Sequence, residues 1–253
     1  MDTHGKFVWH ELMTKDPEAA LKFYGELFGW KFKSGDAGPM IYHEITVGDR
    51  QIGGITGLMG GPGQRPAWNV YVTVDKVDAA VERATRTGGK SCMPAMDIPN
   101  TGRFAMVADP SGAVIAPFTY AGAEMNKSDV TDQPGSFIWN ELLTDAPDKV
   151  KPFYGEVFGW STREQDMGPM GTYTLFQNQG KDVAGMMKRP ADVPANFWMF
   201  YVSVPDVDAA QKKAVALGAR AMEAPMDVPG VGRMATIIDP QGAVISLFKP
   251  EKM

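Results

Sequence analysis

Residues 7–30 read FVWHELMTKDPEAALKFYGELFGW, and residues 137–160 read FIWNELLTDAPDKVKPFYGEVFGW. The two stretches agree at 13 of their 24 positions and lie 130 residues apart (137 − 7 = 130). A long match at a fixed offset indicates an internal duplication, which has to be recognised before any fold is assigned.

Later motifs keep the same offset. MDIPNTGR at residue 96 matches MDVPGVGR at 226, and DPSGAVI at 109 matches DPQGAVI at 239. The stretch between the copies is polar and has no hydrophobic periodicity, which is typical of a linker. The sequence therefore predicts two related domains, 1–121 and 137–253, joined by a linker at 122–136.

The composition of the 253-residue chain excludes several classes of function. The formal net charge is -5 and no run of Lys and Arg occurs, so neither a nucleic-acid nor a membrane partner is expected. The single cysteine, Cys92, cannot build a disulfide framework, which fits a cytoplasmic location. No leader-like or membrane-spanning segment is recognised. We expect a monomer or homodimer with a small-molecule partner.

Each half repeats one order of elements, a strand, a helix and three strands, twice over. FVWHELM alternates like a strand, and the helix after it has Asp16 as a cap, Pro17 in its first turn and Gly29 at its end. Pro152 lies inside the corresponding second helix and should kink it or shorten its start. These patterns predict an α+β fold built from four βαβββ modules.

The paired motifs Phe-Tyr-x-x-x-Phe-Gly-Trp and Asp-Pro-x-Gly, with a VDAA helix start between them, resemble the vicinal oxygen chelate superfamily. That group contains glyoxalase I, the bleomycin-resistance proteins and the extradiol dioxygenases. The tandem arrangement is similar to two-domain glyoxalase-like proteins that are sometimes described as hydroxylases. The resemblance implies that the two modules of each half curl into an open barrel around a cavity, and it leaves the reaction open because this fold hosts many.

Family enzymes usually hold a divalent metal through a first-strand residue, a residue before the second helix and a glutamate on the last strand. By the resemblance, these positions fall on Trp9, Asn69 and Ala116 in the first half and on Trp139, Met199 and Ser246 in the second. Most of these side chains are unsuited to a hard divalent ion. We therefore expect neither a metal nor a cofactor.

One alternative metal site stays open. The three histidines all lie in the first half, and a cluster of His10, His43 and Glu44 is conceivable there. Adjacent His43 and Glu44 should point to opposite faces of a strand, which disfavours the cluster. Asn140 occupies the position of His10 in the second copy, as expected if His10 is not a ligand.

Strand alternation selects the side chains that should face the cavity. Glu11 and Glu141 are the candidate catalytic residues, because a carboxylate among apolar neighbours can act as a general base or acid. The alternative role is a structural glutamate with a backbone or Arg partner. The candidate ligand-binding residues are Trp9, Met13, Glu44, Asn69, Tyr71, Phe118, Trp139, Tyr201 and Ser246. Tyr71 and Tyr201 can equally be core residues.

Arg103 and Arg233 follow matching turns in the two copies. Each could reach an anionic ligand, but pairing with Asp97 or Asp227 on the same hairpin is the favoured interpretation.

Three functions are compatible with these features. The first is a metal-independent glyoxalase-like protein that binds a small, partly aromatic ligand in one or both cavities. The second is a lyase, isomerase or hydroxylase that uses a cavity glutamate as general base. The third is a drug-sequestering protein of the bleomycin-resistance kind, for which one carboxylate per cavity is a weak argument.

Overall fold

The computed structural model of the protein describes residues 4–37, 40–59, 63–122, 133–168 and 171–251. Most of the predicted linker, 122–136, lies outside the described residues. The first repeat contains β1 (Phe7–Thr14), α1 (Pro17–Phe28), β2 (Lys31–Ala37), β3 (Met40–Val47), β4 (Arg50–Gly57), β5 (Ala67–Thr73), α2 (Val77–Arg86), β6 (Lys90–Ile98), β7 (Gly102–Ala108) and β8 (Val114–Tyr120). The second contains β9 (Phe137–Thr144), α3 (Pro147–Phe158), β10 (Ser161–Asp166), β11 (Thr172–Asn178), β12 (Lys181–Lys188), β13 (Phe197–Ser203), α4 (Val207–Ala216), β14 (Arg220–Ala221), β15 (Met226–Val228), β16 (Gly232–Ile238) and β17 (Val244–Pro250).

The element order is strand, helix and three strands in three of the four modules, and strand, helix and four strands in the last, which confirms the predicted α+β fold. Hydrogen bonding orders the strands β2-β3-β4-β1-β5-β8-β7-β6 in the first repeat and β10-β11-β12-β9-β13-β17-β16-β14 in the second. The fourth module departs slightly from the others, because β14 and β15 are separate short strands that both pair with β16.

The helix ends behave largely as the sequence predicts. The Asp16 side chain caps α1 by accepting a hydrogen bond from the Ala19 amide at 3.0 Å. Gly29 ends α1 with a φ of 74°, a left-handed conformation that glycine adopts without strain. Helix α3 contains Pro152 but has 12 residues, the same as α1, so the proline does not shorten it.

The contacts of the chain divide it into two compact units, and each unit draws on both repeats. One unit comprises Met1–Trp9, Asn69–Ser128 and Trp139–Trp198. The other comprises His10–Trp68, Asp129–Ile138 and Met199–Met253. The assignment of one independent domain to each repeat therefore stays a prediction.

In the second of these units, the two family-like signatures bind each other through a buried polar network. Tyr24 Oη donates to Asp239 Oδ2 at 2.9 Å, and Trp68 Nε1 donates to Tyr24 Oη at 3.0 Å. The other oxygen of Asp239 accepts from the amides of Gln241, Gly242 and Ala243. Tyr24 thus belongs to the first repeat and its carboxylate partner to the second.

The first unit contains the equivalent arrangement, with a tyrosine from the second repeat and an aspartate from the first. Tyr154 Oη donates to Asp109 Oδ2 at 2.8 Å, and Trp198 Nε1 donates to Tyr154 Oη at 3.0 Å. Burial, and then the charge of Asp109, raise the pKa of Tyr154 far above its usual range, so the phenol keeps the proton that it donates. The aspartate of the Asp-Pro-x-Gly motif is therefore a buried acceptor that binds a tyrosine from the other repeat.

Within the described part of the chain, no helix combines the length and apolar character needed to cross a membrane.

Candidate functional site

Glu11 lies in the middle of β1 and is only 5% exposed. Its neighbour on the sheet is β4, which runs parallel to β1 and places Gly54 in register with Glu11. Tyr42 on β3 reaches over this glycine, and its hydroxyl donates to Glu11 Oε2 at 2.9 Å. A buried carboxylate and a phenol thus form a hydrogen-bonded pair across three strands.

Gly54 makes the pair possible. A Cβ atom at this position would collide with the hydroxyl and ring of Tyr42. The backbone of Gly54 has no positive φ, so the requirement here is for space. A glycine in a strand interior weakens the strand, and it often marks a place where another group approaches closely.

The second repeat builds the same pair. Gly185 on β12 is in register with Glu141, and a Cβ atom there would collide with Tyr173. Tyr173 Oη donates to Glu141 Oε2 at 2.7 Å and accepts from Trp139 Nε1 at 3.0 Å. The recurrence shows that glutamate, glycine and tyrosine form one three-strand arrangement that survived the divergence of the two copies.

In the second pair, the proton of the hydrogen bond stays on the tyrosine. Burial, and then the charge of Glu141, raise the pKa of Tyr173 well above its usual range. The indole nitrogen of Trp139 can only donate, so it occupies an acceptor position on the phenol oxygen. Tyr173 therefore keeps its proton and directs it at Glu141.

The residues at the family metal positions do not fit a divalent ion. Trp9 and Trp139 present indoles, and Ala116, which is in register with Tyr71, presents a methyl group. Asn69 offers one neutral amide oxygen, and none of these positions supplies an imidazole or a carboxylate.

In the second repeat, the potential ligands bind each other. Ser246 Oγ lies 2.9 Å from Thr236 Oγ1 and donates to Met199 Sδ at 3.1 Å. All three side chains are buried. This part of the second repeat is a packed core with internally satisfied hydroxyls.

The alternative cluster of His10, His43 and Glu44 has other contacts. The His10 ring stacks on Phe137 with centroids 3.9 Å apart. His43 Nδ1 is 2.8 Å from Ser34 Oγ, and Glu44 accepts from Gln51 Nε2 at 2.9 Å. Among the residues that the structure describes, no group of three or more His, Cys, Asp or Glu side chains could hold a metal ion.

The other sequence-predicted cavity residues are mostly buried, and the structure assigns them to different units. Tyr71 contacts Phe118 and Phe104 with ring centroids 6.1 and 5.6 Å apart, and Tyr201 contacts Phe248 at 5.9 Å. One compact unit contains Glu11, Met13, Glu44, Tyr201 and Ser246. The other contains Trp9, Asn69, Tyr71, Phe118, Trp139 and Glu141.

Glu44 and Leu175 are equivalent positions, as the repeat alignment predicts. Glu44 is in register with Gly54, and Leu175 is in register with Gly185. The first repeat therefore has a second carboxylate on this row of the sheet where the second repeat has an apolar side chain.

The favoured interpretation of the two arginines is confirmed. Arg103 donates to Asp97 and also to Asp78, both at 2.9 Å. Arg233 pairs in the same way with Asp227 at 3.0 Å and with Asp208 at 2.6 Å. Each arginine joins a helix start to a hairpin, so its role here is structural.

Sequence reasoning missed Tyr42 and Tyr173 as partners of the glutamates. The available signal was their recurrence at matched places, together with a glycine on the strand that follows each tyrosine. It also missed that Asp109 and Asp239 bind tyrosines of the opposite repeat, because such contacts join residues 45 and 215 positions apart.

Comparison with known proteins shows that the chain matches one family along most of its length. The family profile described as Glyoxalase/Bleomycin resistance protein/Dioxygenase superfamily matches residues 6–116 and again 137–247. "Putative glyoxylase CFP32" from Mycobacterium bovis is 36% identical over 249 residues, which cover 96% of this chain and 94% of that protein. "Anthracycline biosynthesis protein DauV" from Streptomyces sp. strain C5 is 32% identical over 261 residues, covering 97% of this chain and 93% of that protein.

Solved structures share the fold at low sequence identity. The Mn(II)-bound glyoxalase from Novosphingobium aromaticivorans matches with a TM-score of 0.64 at 14% identity, covering 98% of this chain and 83% of that one. The 2,3-dioxygenase LapB from Pseudomonas sp. KL28 also matches with a TM-score of 0.64 at 14% identity, covering 99% and 94%. The chain therefore belongs to the glyoxalase/bleomycin resistance protein/dioxygenase superfamily, as a tandem member with two copies of the family unit.

Proposed function

We propose that this tandem glyoxalase-like protein binds a small, partly aromatic molecule against the Glu11–Tyr42 pair of the first repeat, without a resident divalent metal. The observation that carries the proposal is the pair itself. A carboxylate that is 5% exposed has a desolvation cost, and a glycine is reserved in the neighbouring strand to let the phenol reach it. Such an arrangement is typical of a site in which a few polar groups orient a ligand within apolar walls.

The first repeat is the better candidate because it keeps one more polar group on the row of the sheet that carries the pair. It has Glu44, which lies in the same compact unit as Glu11, where the second repeat has Leu175. Hydrogen bonds that orient a ligand should therefore be stronger in the first repeat.

A second candidate function is an enzyme that moves a proton, with Glu11 as general base. The observation that favours it is the hydrogen bond from Tyr42, which holds the carboxylate in one orientation. A positioned carboxylate of this kind can abstract a proton from a bound substrate. In this case Tyr42 positions the base and Glu11 touches the substrate.

The experiment compares Glu11→Gln with the matched variant Glu141→Gln. Binding of 1-naphthol and of an anthracycline is measured by calorimetry; the anthracycline is a rational probe because the Streptomyces relative is named for anthracycline biosynthesis. We expect Glu11→Gln to weaken binding about tenfold, or 1.4 kcal/mol, and Glu141→Gln to have a much smaller effect. Since Gln can still accept from Tyr42, the melting temperature should stay nearly unchanged.

The outcomes separate the candidates. Equal and large losses of stability in both variants, with unchanged binding by the folded fraction, would assign the glutamates a structural role and defeat the proposal. Turnover of a carbonyl or phenolic substrate that Glu11→Gln abolishes, while binding persists, would favour the enzyme over the binding protein.

A further inference from the structure

We infer that the ligand presents a hydrogen-bond donor to the Glu11–Tyr42 pair, with a protonated amine on an aromatic framework as the preferred chemical class, and that oxyanions are rejected. The inference rests on the proposed function and names its ligand class. It follows from a count of the protons that the pair can offer.

The pair has no proton left for a ligand. An ionised carboxylate only accepts hydrogen bonds, and a phenol has a single proton. The structure directs the proton of Tyr42 at Glu11 Oε2 over 2.9 Å. A ligand group that touches either oxygen must therefore be a donor, whatever other partners the two side chains have.

The second repeat supports this assignment of protons independently. Trp139 Nε1 can only donate, and it donates to Tyr173 Oη while Tyr173 donates to Glu141. The chain of donors ends at the carboxylate, which is the arrangement expected for an ionised glutamate. A protonated glutamate that donated to Tyr173 would instead turn the phenol proton away from Glu141.

The charges along the same row of the sheet agree with a cationic ligand. The row runs Lys33, Glu44, Gly54 and Glu11, according to the strand register. Lys33 is exposed on the edge strand and is in register with Glu44, which also accepts from Gln51. Glu11 is the buried carboxyl group of the row, and charge interactions are stronger at a buried position than in water.

An ammonium group satisfies both requirements. It has three donors and one positive charge, so it can bind the carboxylate as a charge-assisted hydrogen bond. A hydroxyl offers one neutral donor and should bind more weakly. A carboxylate or phosphate brings only acceptors and a like charge, so its approach to Glu11 is unfavourable.

The test uses three probes of matched shape at about pH 7.5, namely 2-phenylethylamine, 2-phenylethanol and 3-phenylpropanoate, so that the amine is charged and the acid ionised. Calorimetric titration of the full-length protein should give the order amine, alcohol, acid, with about tenfold between the first and the last. Glu11→Gln should weaken binding of the amine about tenfold and leave the acid unchanged or slightly tighter. Glu26→Gln, an exposed site on α1, makes the same charge change elsewhere and should alter neither.

The following results would overturn the inference. If the acid binds as tightly as the amine, or if Glu26→Gln weakens the amine as much as Glu11→Gln does, the pair does not select donors. If none of the three probes binds while 1-naphthol still binds in a Glu11-dependent way, the ligand class is wrong and the proposed function stands. If neither these probes nor 1-naphthol and the anthracycline depend on Glu11, both proposals fail.

Discussion

Replacing Asp239 with alanine should destabilise the protein strongly. Asp239 lies in the Asp-Pro-x-Gly motif, and the structure gives this residue a role in stability. Its carboxylate is 4% exposed and accepts from three backbone amides and from Tyr24 Oη. A hydrogen bond to a charged group contributes about 1.5–3 kcal/mol, and each buried donor left unsatisfied costs about 1–3 kcal/mol. The turn can relax and water can reach some amides, so we expect a loss of about 3–5 kcal/mol, less than the sum of the four bonds.

Chemical denaturation in urea measures this loss, and a thermal scan gives a second readout. For a chain of this size, 1 kcal/mol corresponds to roughly 2–4 °C in melting temperature, so the expected decrease is roughly 6–20 °C. Asp109→Ala is the matched control in the other unit and should cost a similar amount, because Asp109 accepts from Tyr154, Ser111 and Ala113.

A double-mutant cycle isolates the bond between the repeats. Tyr24→Phe alone removes one charged hydrogen bond and leaves Trp68 Nε1 without its phenol acceptor. The combined variant Tyr24→Phe with Asp239→Ala should be less destabilised than the sum of the singles, by about 1 kcal/mol or more. Additive effects, or a loss below about 1 kcal/mol for Asp239→Ala, would refute the assignment of this network as a main contributor to stability.

Three other outcomes are expected. Cleavage at a protease site placed between residues 122 and 133 should yield fragments that unfold non-cooperatively alone and recover cooperative unfolding when mixed, because each compact unit contains segments of both repeats; two independently stable fragments would contradict this. Elemental analysis of the purified protein should find far less than one equivalent of Zn, Ni, Mn or Fe, and one tightly held ion lost in His10→Ala or His43→Ala would overturn the expectation. The hydrogen bond from Arg103 lowers the pKa of Asp78 in the folded state below its unfolded value. The stability that this ion pair contributes is therefore present above the unfolded pKa and is lost as the pH falls through the folded pKa. Arg103→Met should raise the pH midpoint of acid unfolding slightly, and an unchanged midpoint would show that the exposed pair contributes nothing measurable.

The duplication and the modules could be predicted from the sequence because they are local or repetitive. Strand alternation, the Asp16 cap and the Gly29 end each depend on a few neighbouring residues, and the fixed offset between copies checks every assignment twice. The burial of Glu11 and Glu141 followed from the same alternation, since each lies between apolar neighbours on an inferred inner face.

The partners of these glutamates could not be predicted in the same way. Whether Tyr42 reaches Glu11 depends on the strand order β3-β4-β1, on the register that places Gly54 opposite Glu11, and on the missing side chain at Gly54. A shift of one residue in β3 or β1 would turn Tyr42 or Glu11 to the other face of the sheet, and a shift in β4 would remove Gly54 from between them. The contacts of Tyr24 and Tyr154 with the opposite repeat are non-local in the same sense.

Comparing the two repeats distinguishes residues that both copies retain from residues that differ between them. The glutamate, the glycine and the tyrosine of the pair occur in both repeats, as do the tyrosine and aspartate of the buried network. The network explains its own retention, because losing it exposes several buried donors at once. The pair carries two costs in both repeats, the burial of a carboxylate and a glycine that weakens the neighbouring strand. Under the proposed function, the retained pair is the group that orients the ligand, and positions such as Glu44 and Leu175, which diverged beside it, adapt the two pocket walls to different ligands.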